Sequence, residues 1–459
     1  MESIFCISAG QLIVKKQNHK INKQNKYLNY GLLSLATILK TKGWSPVQLH
    51  GHFDHPTVII AECLKLGLSK LSIYPILISI PSFYAISWVN EFIDLVKNIN
   101  SKIKVIIGGR WVIADRPDLM SNLVPRADKI VSGVAESKIE ELIYSMTQTI
   151  SKTDSREKVL STSHSKLDYS LLLKREIYQP SLEVSRGCGM GCSFCQERDE
   201  KLLPLKPASL VINEVKDILL EDDLNKMNFY FESSMFIPNI KWIEQLHRSI
   251  QESGILFSWR TESRVDTIQA KHIPDLAKAG LKVIDLGLES ASPVQLITMK
   301  KTSNPKSYLE KASRLIKTCY EHGVVVKVNL LLTAGETMST ITQTLDWLDN
   351  HKTYIRGLSV GPVIVFGWDA DNENYLNELC AAGASFSHSP TTGIKHLNLS
   401  KEISYEKSIS LSNEISRDFM RAEDYFYLKS FSYFSRYYSF EDFIQDVKAE
   451  KRDYSFSVI

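Results

Sequence analysis

The chain has few cysteines, little net charge and no clear membrane segment, and each shortage narrows what it can be. Seven cysteines in 459 residues, three of them clustered, do not make an extracellular disulfide framework; they point to a reducing cytosol, where metal binding is the commoner use. A net charge of +3, from 55 basic and 52 acidic residues, offers no electrostatic footprint for nucleic acid or for an anionic membrane surface. Met1 runs straight into Ile4-Phe5-Cys6-Ile7, without the basic stretch and cleavage site of a signal peptide. Residues 71–89 carry no charge over 19 positions, close to membrane-spanning length. Pro75 and Pro81 interrupt them, and residues 76–80 have the length of a buried strand, so the stretch reads as strand, loop and helix. The expectation is a cytoplasmic protein with no nucleic-acid and no membrane partner.

What is present is a loop of three thiols. Cys188, Cys192 and Cys195 are separated by three residues and then by two. Short loops of this kind hold iron–sulfur clusters, usually through four thiolates, but the next cysteine, Cys319, lies far downstream. A cubic cluster held by three thiols keeps one iron open to bind something else. Zinc is the alternative, and it would want a fourth Cys or His close by. The C-x3-C-x2-C loop resembles the signature of radical S-adenosylmethionine (radical SAM) enzymes, in which a [4Fe-4S] cluster binds S-adenosylmethionine at the open iron. Phe194, the aromatic just before the third cysteine, also fits that family.

Around this loop the chain divides into four parts. Residues 1–150 alternate apolar strands (4–8, 47–49, 76–80, 104–107, 129–131) with helices (30–39, 88–98, 136–146). That pattern argues a doubly wound parallel sheet, Rossmann-like in class. Residues 15–26 read as a polar, basic loop, and 151–176 as a linker rich in Ser, Thr and Lys. From 177 to 370, six strands (182–185, 228–231, 256–260, 283–288, 325–332 and 358–365) alternate with helices, short of the eight in a full barrel. Residues 371–459 read as a helical, aromatic extension, either capping the barrel or lining a groove for an extended peptide.

The first part resembles the cobalamin-binding-type domain that precedes many radical SAM cores, although the D-x-H-x-x-G motif of histidine-ligated members is absent. His50, His52 and His55 do not fit that spacing and read as a solvated loop rather than a metal site. Cobalamin is therefore possible but not favoured. In the six-strand part, which resembles the partial (β/α)6 barrel of the family, strand ends carry the expected cofactor residues. The resemblance places Glu232 at the cofactor ammonium, Arg264, with Arg260 as its rival, at the carboxylate, and Glu289 and Ser290 by the ribose and carboxylate. It also places Asn329 on the fifth strand and Gly335 in the turn beside the adenine.

The whole organisation is similar to radical SAM peptide epimerases of the proteusin type. That resemblance implies a 5′-deoxyadenosyl radical that removes an α-hydrogen from a ribosomally made precursor peptide, with a ferredoxin or flavodoxin as electron donor. It also implies a thiol that returns hydrogen to the opposite face, and Cys380 is the candidate for this catalytic donor. A cobalamin-dependent radical SAM methyltransferase and a noncatalytic peptide-binding scaffold are the alternatives. Cys6, Cys63 and Cys319 lie in apolar contexts and read as core.

Overall fold

Five short apolar strands begin the chain: β1 (Ile4–Ser8), β2 (Pro46–His50), β3 (Ile76–Ser79), β4 (Val105–Gly108) and β5 (Lys129–Ile130). All are parallel, in the order β2-β1-β3-β4-β5. β1 is buried along its whole length, as expected for a strand covered by helices on both faces. The helix Ile86–Ile99 buries Trp88, Val89, Phe92, Ile93 and Val96, one apolar stripe at helical spacing. A helix missing from the sequence reading, Pro56–Lys65, follows β2. Pro56 stands in its first turn, His55 caps it, and Ile59, Ile60 and Cys63 are buried. The computed structural model described here covers residues 3–12, 20–112, 117–148, 166–222, 227–367, 369–389, 391–450 and 452–458.

The chain divides into two units, Met1–Tyr178 and Gln179–Ile459. Of the expected linker, residues 151–165 lie outside the described residues, as do 15–19 of the basic loop. Residues 166–176 are no linker. Leu167, Tyr169, Leu171 and Leu172 are buried, and Leu173 N donates to Gln48 O at 2.9 Å. Apolar side chains at alternate short intervals let this segment bury itself against the first sheet.

The second unit is built on six parallel strands: β6 (Ser181–Glu183), β7 (Asn228–Glu232), β8 (Ser258–Arg264), β9 (Leu281–Glu289), β10 (Val325–Leu332) and β11 (Gly357–Pro362). They run in sequence order across the sheet, the open arc of a partial barrel. β8 extends four residues beyond the expected 256–260, which brings Glu262 and Arg264 into the strand. Alternation then sorts its residues. Trp259 stacks on Phe231 at 4.5 Å between centroids and donates to Ala279 O at 2.8 Å. Arg260, on the other face, pairs with Asp285 of β9.

Two expectations for the tail need correction. The tail is not wholly helical: β12 (Val365–Phe366), β13 (Ser385–Ser387) and β14 (Ile394–Asn398) form an antiparallel sheet in the order β12-β14-β13. The last expected barrel strand therefore ends at Pro362, and Val365 belongs to this second sheet. Nor do the tail aromatics line a groove as a set. Phe434 and Phe443 are fully buried and meet Tyr425, Phe426 and Tyr438 ring to ring. Burying such rings is worth about 1.5–3 kcal/mol each, which makes them a core. The helix Ala422–Ser430 lies against β11, where a Cβ on Gly357 would come within 2.3 Å of Leu428 Cδ1.

Candidate cluster and cofactor site

The segment after β6 doubles back on itself. Leu203 N donates to Arg186 O at 2.8 Å, and Cys188 N donates to Glu200 O at 2.9 Å. Gly187 permits this close return. Its φ is +79°, and a Cβ there would lie 2.3 Å from Lys201 O. Within the turn, Cys195 N donates to Cys192 O at 3.1 Å, and Glu197 N reaches Cys195 Sγ at 3.4 Å. Cys192 is buried, while Cys188 and Cys195 are half-buried.

Burial raises the pKa of Cys188 and of Cys195, and for Cys195 the neighbouring Cys188 and Cys192 add to the rise. The three sulfurs thus share one electrostatic neighbourhood. Among the described residues, no group of three or more His, Cys, Asp or Glu side chains is arranged to hold a metal ion. A single zinc would draw its thiols to about 2.3 Å from one centre, whereas a cluster offers each thiolate its own iron. Three soft thiol donors have the chemistry of an iron–sulfur cluster's ligands. The Arg264 guanidinium beside Cys192 complements the thiolate such a ligand must become.

Arg264, expected at the cofactor carboxylate, is engaged by three neighbours in this structure. Nη1 lies 3.2 Å from Cys192 Sγ. Nε and Nη2 grip Asp266 at 2.9 and 3.2 Å, and Nη2 also donates to Lys301 O at 2.6 Å. Its rival Arg260 is likewise engaged: it pairs with Asp285, donates to Leu428 O at 2.8 Å, and lies 5.2 Å from the Tyr433 ring centroid. Burial opposes ionisation of Asp285, but Arg260 and Lys327 outweigh it and keep the carboxyl below the ordinary range.

Glu232 ends β7, in register with Glu183 of β6. Glu183 is held by Arg186, at 2.8 and 3.1 Å from its two oxygens. Glu232 is pushed up to about 8, first by burial and then by the charge of Glu262. Glu262, which accepts a hydrogen bond from Tyr230 Oη, is raised too, again by burial first. An acid raised in this way keeps its proton near neutrality, and a nearby cation would favour its ionised form.

Glu289 and Ser290 line a small enclosed cavity at the ends of β9 and β10, with Leu330, Leu332, Glu336 and Thr344. Ser290 Oγ lies 3.1 Å from Thr344 Oγ1. Glu336 is raised to about 7 by burial. Asn329 is half-buried on β10, paired in register with Gly287 and Ser359. Gly335 forms the following turn at φ +82°, its N donating to Leu399 O at 2.8 Å. Phe194 lies in the cysteine loop, its ring centroid 5.7 Å from Lys301 Nζ.

Cys380 is exposed, on the helix Asp369–Ala381 that buries Leu376 and Leu379. Cys6, Cys63 and Cys319 are fully buried. The sequence reading missed Asp266, Glu262 and Lys301. Lys301 follows an apolar helical turn, which by itself reads as a solvated basic cap.

In the first unit the sheet order reverses between β1 and β3, where ligands of doubly wound sheets bind. Asn29 Nδ2 bridges Ser8 Oγ and Ser79 Oγ there, at 3.1 and 2.9 Å. Gly109 approaches so closely that a Cβ would lie 2.7 Å from Ile80 N. Ser8, Ser79 and Gly109 thus form the rim of the sheet at this point. His50 and His52 are not a solvated loop. His50 Nε2 accepts from Asn29 N at 3.0 Å, and His52 Nε2 lies 2.8 Å from Tyr178 Oη. Burial lowers His50 to about 3, so it is neutral. The rings of His50, at the end of β2, His52 and Tyr178 pack together.

Residues 182–348, which carry the three-thiol loop and most of the six-strand arc, match the family model described as Radical SAM superfamily. An uncharacterized methyltransferase of Pyrococcus horikoshii is 24% identical over 254 residues, 50% of this chain and 54% of that protein. The chain thus matches about half the length of that curated relative. Among solved structures, the radical S-adenosylmethionine methyltransferase TsrM from Kitasatospora setae, with tryptophan and a cofactor analogue bound, superposes at a TM-score of 0.63. It is 16% identical, over 85% of this chain and 79% of that one. The cobalamin-dependent radical enzyme OxsB, with aqua-cobalamin bound, gives a TM-score of 0.58 at 16% identity, over 76% and 52%. These likenesses are of fold. A radical SAM domain implies a [4Fe-4S] cluster and S-adenosylmethionine, together with an electron donor and a substrate. No helix among the described residues is long and apolar enough to cross a membrane.

Proposed function

We propose that this protein is a cobalamin-dependent radical SAM methyltransferase. The observation that carries the reading is the presence, in one chain, of a 2-1-3-4-5 parallel sheet with a Ser and Gly rim and a six-strand arc bearing the three-thiol loop. The likeness to TsrM over 85% of the chain and to a methyltransferase in sequence supports it. None of the relatives named above is described as an epimerase, and Cys380, on which epimerisation rested, is exposed.

When bound, the cluster would supply an electron, S-adenosylmethionine a radical or methyl group, and cobalamin a methyl carrier. The protein's own part is positional. Cys188, Cys192 and Cys195 would hold the cluster, and Arg264 steadies Cys192 while Asp266 fixes the guanidinium. Glu232 would release its proton as an ammonium arrives, and Glu289 and Ser290, at the end of β9, would lie by the ribose and carboxylate. Asn29, Ser8 and Ser79 would contact cobalamin at the sheet's switch point, without a histidine ligand. A ferredoxin or flavodoxin would serve as electron donor, and a ribosomally made peptide is one class of methyl acceptor to test.

The deciding experiment is anaerobic reconstitution of the cluster, addition of cobalamin, and turnover with methyl-deuterated S-adenosylmethionine, free tryptophan and a peptide library. Stoichiometric cobalamin uptake and a labelled methyl gain that needs it are expected. A peptide that instead gains solvent deuterium at an α-carbon, without cobalamin and dependent on Cys380, would overturn the proposal in favour of epimerisation.

A further inference from the structure

Ser193 stands between Cys192 and Phe194 in the cysteine loop, and its backbone is held on both sides. Its N–H donates to Met299 O at 3.0 Å, and its carbonyl accepts from Arg198 Nη1 at 2.8 Å. The backbone of Arg198 meets the same loop twice more. Gly191 N donates to Arg198 O at 3.2 Å, and Arg198 N donates to Cys195 O at 3.4 Å. One arginine thus ties the loop at three points across the stretch that carries Cys192 and Cys195.

Arg198 is in turn backed by the tail. Its guanidinium lies 5.9 Å from the ring centroid of Tyr375, on the helix Asp369–Ala381, while Nε meets Asp199 at 3.3 Å. Three residues on, Glu378 takes Lys300 Nζ at 3.0 and 3.2 Å, so one face of the helix reaches both Arg198 and the residue after Met299. The Lys300 pair is exposed on both sides and contributes little. Tyr375 is half-buried, and its Oη is enclosed with no hydrogen-bond partner among the described residues. Its ring, not its hydroxyl, is therefore what Arg198 meets. Leu376 and Leu379 are buried and anchor the helix. Just beyond it, Ala382 O lies 3.0 Å from where a Cβ on Gly335 would stand.

We propose that Arg198 is a positioning residue for the cluster, fixing the Ser193 peptide opposite Met299, and that the Tyr375 ring holds Arg198 in place. The proposal rests on the reading of Cys188, Cys192 and Cys195 as cluster ligands, and not on the reaction that the cluster serves. A fixed Ser193 peptide sets how Cys192 and Cys195 stand to each other, and a loop that cannot open releases iron slowly. Groups that orient a ligand without touching the metal alter metal affinity by about 10- to 100-fold when removed. A guanidinium suits the task, because its planar fork donates to a carbonyl while its face stacks on an aromatic ring. At an exposed site such a stack is worth about 2- to 5-fold in an equilibrium constant.

The test follows the release of iron to a chelator, without oxygen, from the full chain with its cluster reconstituted. Iron content, sulfide content and melting temperature are measured alongside. Arg198→Gln is expected to release iron about 10-fold faster than the wild type. Tyr375→Leu, which removes the ring, should quicken release by about 2- to 5-fold with little change in melting temperature. Tyr375→Phe, which keeps the ring, should restore the wild-type rate. In the Arg198→Gln background Tyr375→Leu should add nothing, because the ring acts through the guanidinium. If Arg198→Gln assembles no cluster, the contrast between Tyr375→Leu and Tyr375→Phe decides. Wild-type release from Arg198→Gln, equal release from the two Tyr375 variants, or single effects that simply multiply in the double variant would overturn the proposal. A wild type that takes up no cluster would instead overturn the reading of the three thiols, and the positioning role with it.

Discussion

Arg264 Nη1 lies 3.2 Å from Cys192 Sγ while Asp266 and the Lys301 carbonyl occupy the rest of the guanidinium. An arginine expected at the cofactor carboxylate is here in contact with Cys192, Asp266 and Lys301. Lysine cannot reproduce a planar fork with three partners. Arg264→Lys is therefore expected to retain clearly less iron and sulfide after reconstitution. S-adenosylmethionine affinity per cluster should change by less than about 3-fold, well under the roughly 10-fold that follows from losing 1.4 kcal/mol of direct contact. Iron analysis and equilibrium binding check both.

Glu232 makes stability depend on pH in a defined direction. Its carboxyl rises from 4.5 in the unfolded chain to about 8 in the folded one, so the folded state binds the proton more tightly. The stabilisation is complete below about 4.5 and is lost as pH rises through about 8. Melting temperature should fall by several degrees between about pH 5 and 8, and Glu232→Gln should flatten that fall. A change of about 1 kcal/mol corresponds to roughly 2–4 °C in a domain of a few hundred residues. A steeper fall in the variant would contradict the assignment.

His50 has the opposite sign. Its folded pKa is depressed from 6.5 to about 3 by burial, so its contribution is present above about 6.5 and is lost as pH falls towards 3. Acid unfolding of the first unit should move to lower pH in His50→Gln, which cannot charge. The same variant should still bind cobalamin, because His50 Nε2 is committed to Asn29 N; Asn29→Ala, which unties Ser8 from Ser79, should weaken binding. Absorbance titration distinguishes the two.

The Arg260–Asp285 pair is buried to 1% on both sides. Asp285→Asn leaves the guanidinium without its carboxylate and should cost about 3–5 kcal/mol. Denaturant unfolding measures this, with the slope m expected to stay constant.

The cysteines should separate cleanly. Cys188→Ala, Cys192→Ala and Cys195→Ala are each expected to abolish cluster assembly and 5′-deoxyadenosine formation. Cys380→Ala should leave both intact, and Cys380 should be alkylated first in the folded protein because it alone among the seven is exposed.

The sequence by itself determined what depends on near neighbours. Three thiols within eight residues stay together in any fold, and apolar runs alternating with 3.6-residue stripes specify strands and helices locally. β10 was legible to the residue for that reason, its bounds being those expected. Where turn chemistry competed, reading failed: His55-Pro56 looked like a loop and proved to be a helix start, and a two-residue strand, β12, left the barrel for another sheet. Tertiary structure alone decided the partners. Whether Arg264 meets Cys192, whether Glu232 keeps its proton beside Glu262, and whether Lys301 is solvated or buried between Phe194 and Glu289 all depend on which strands lie side by side. Charge, burial and hydrogen bonding act through space, and residues distant in the chain supply them.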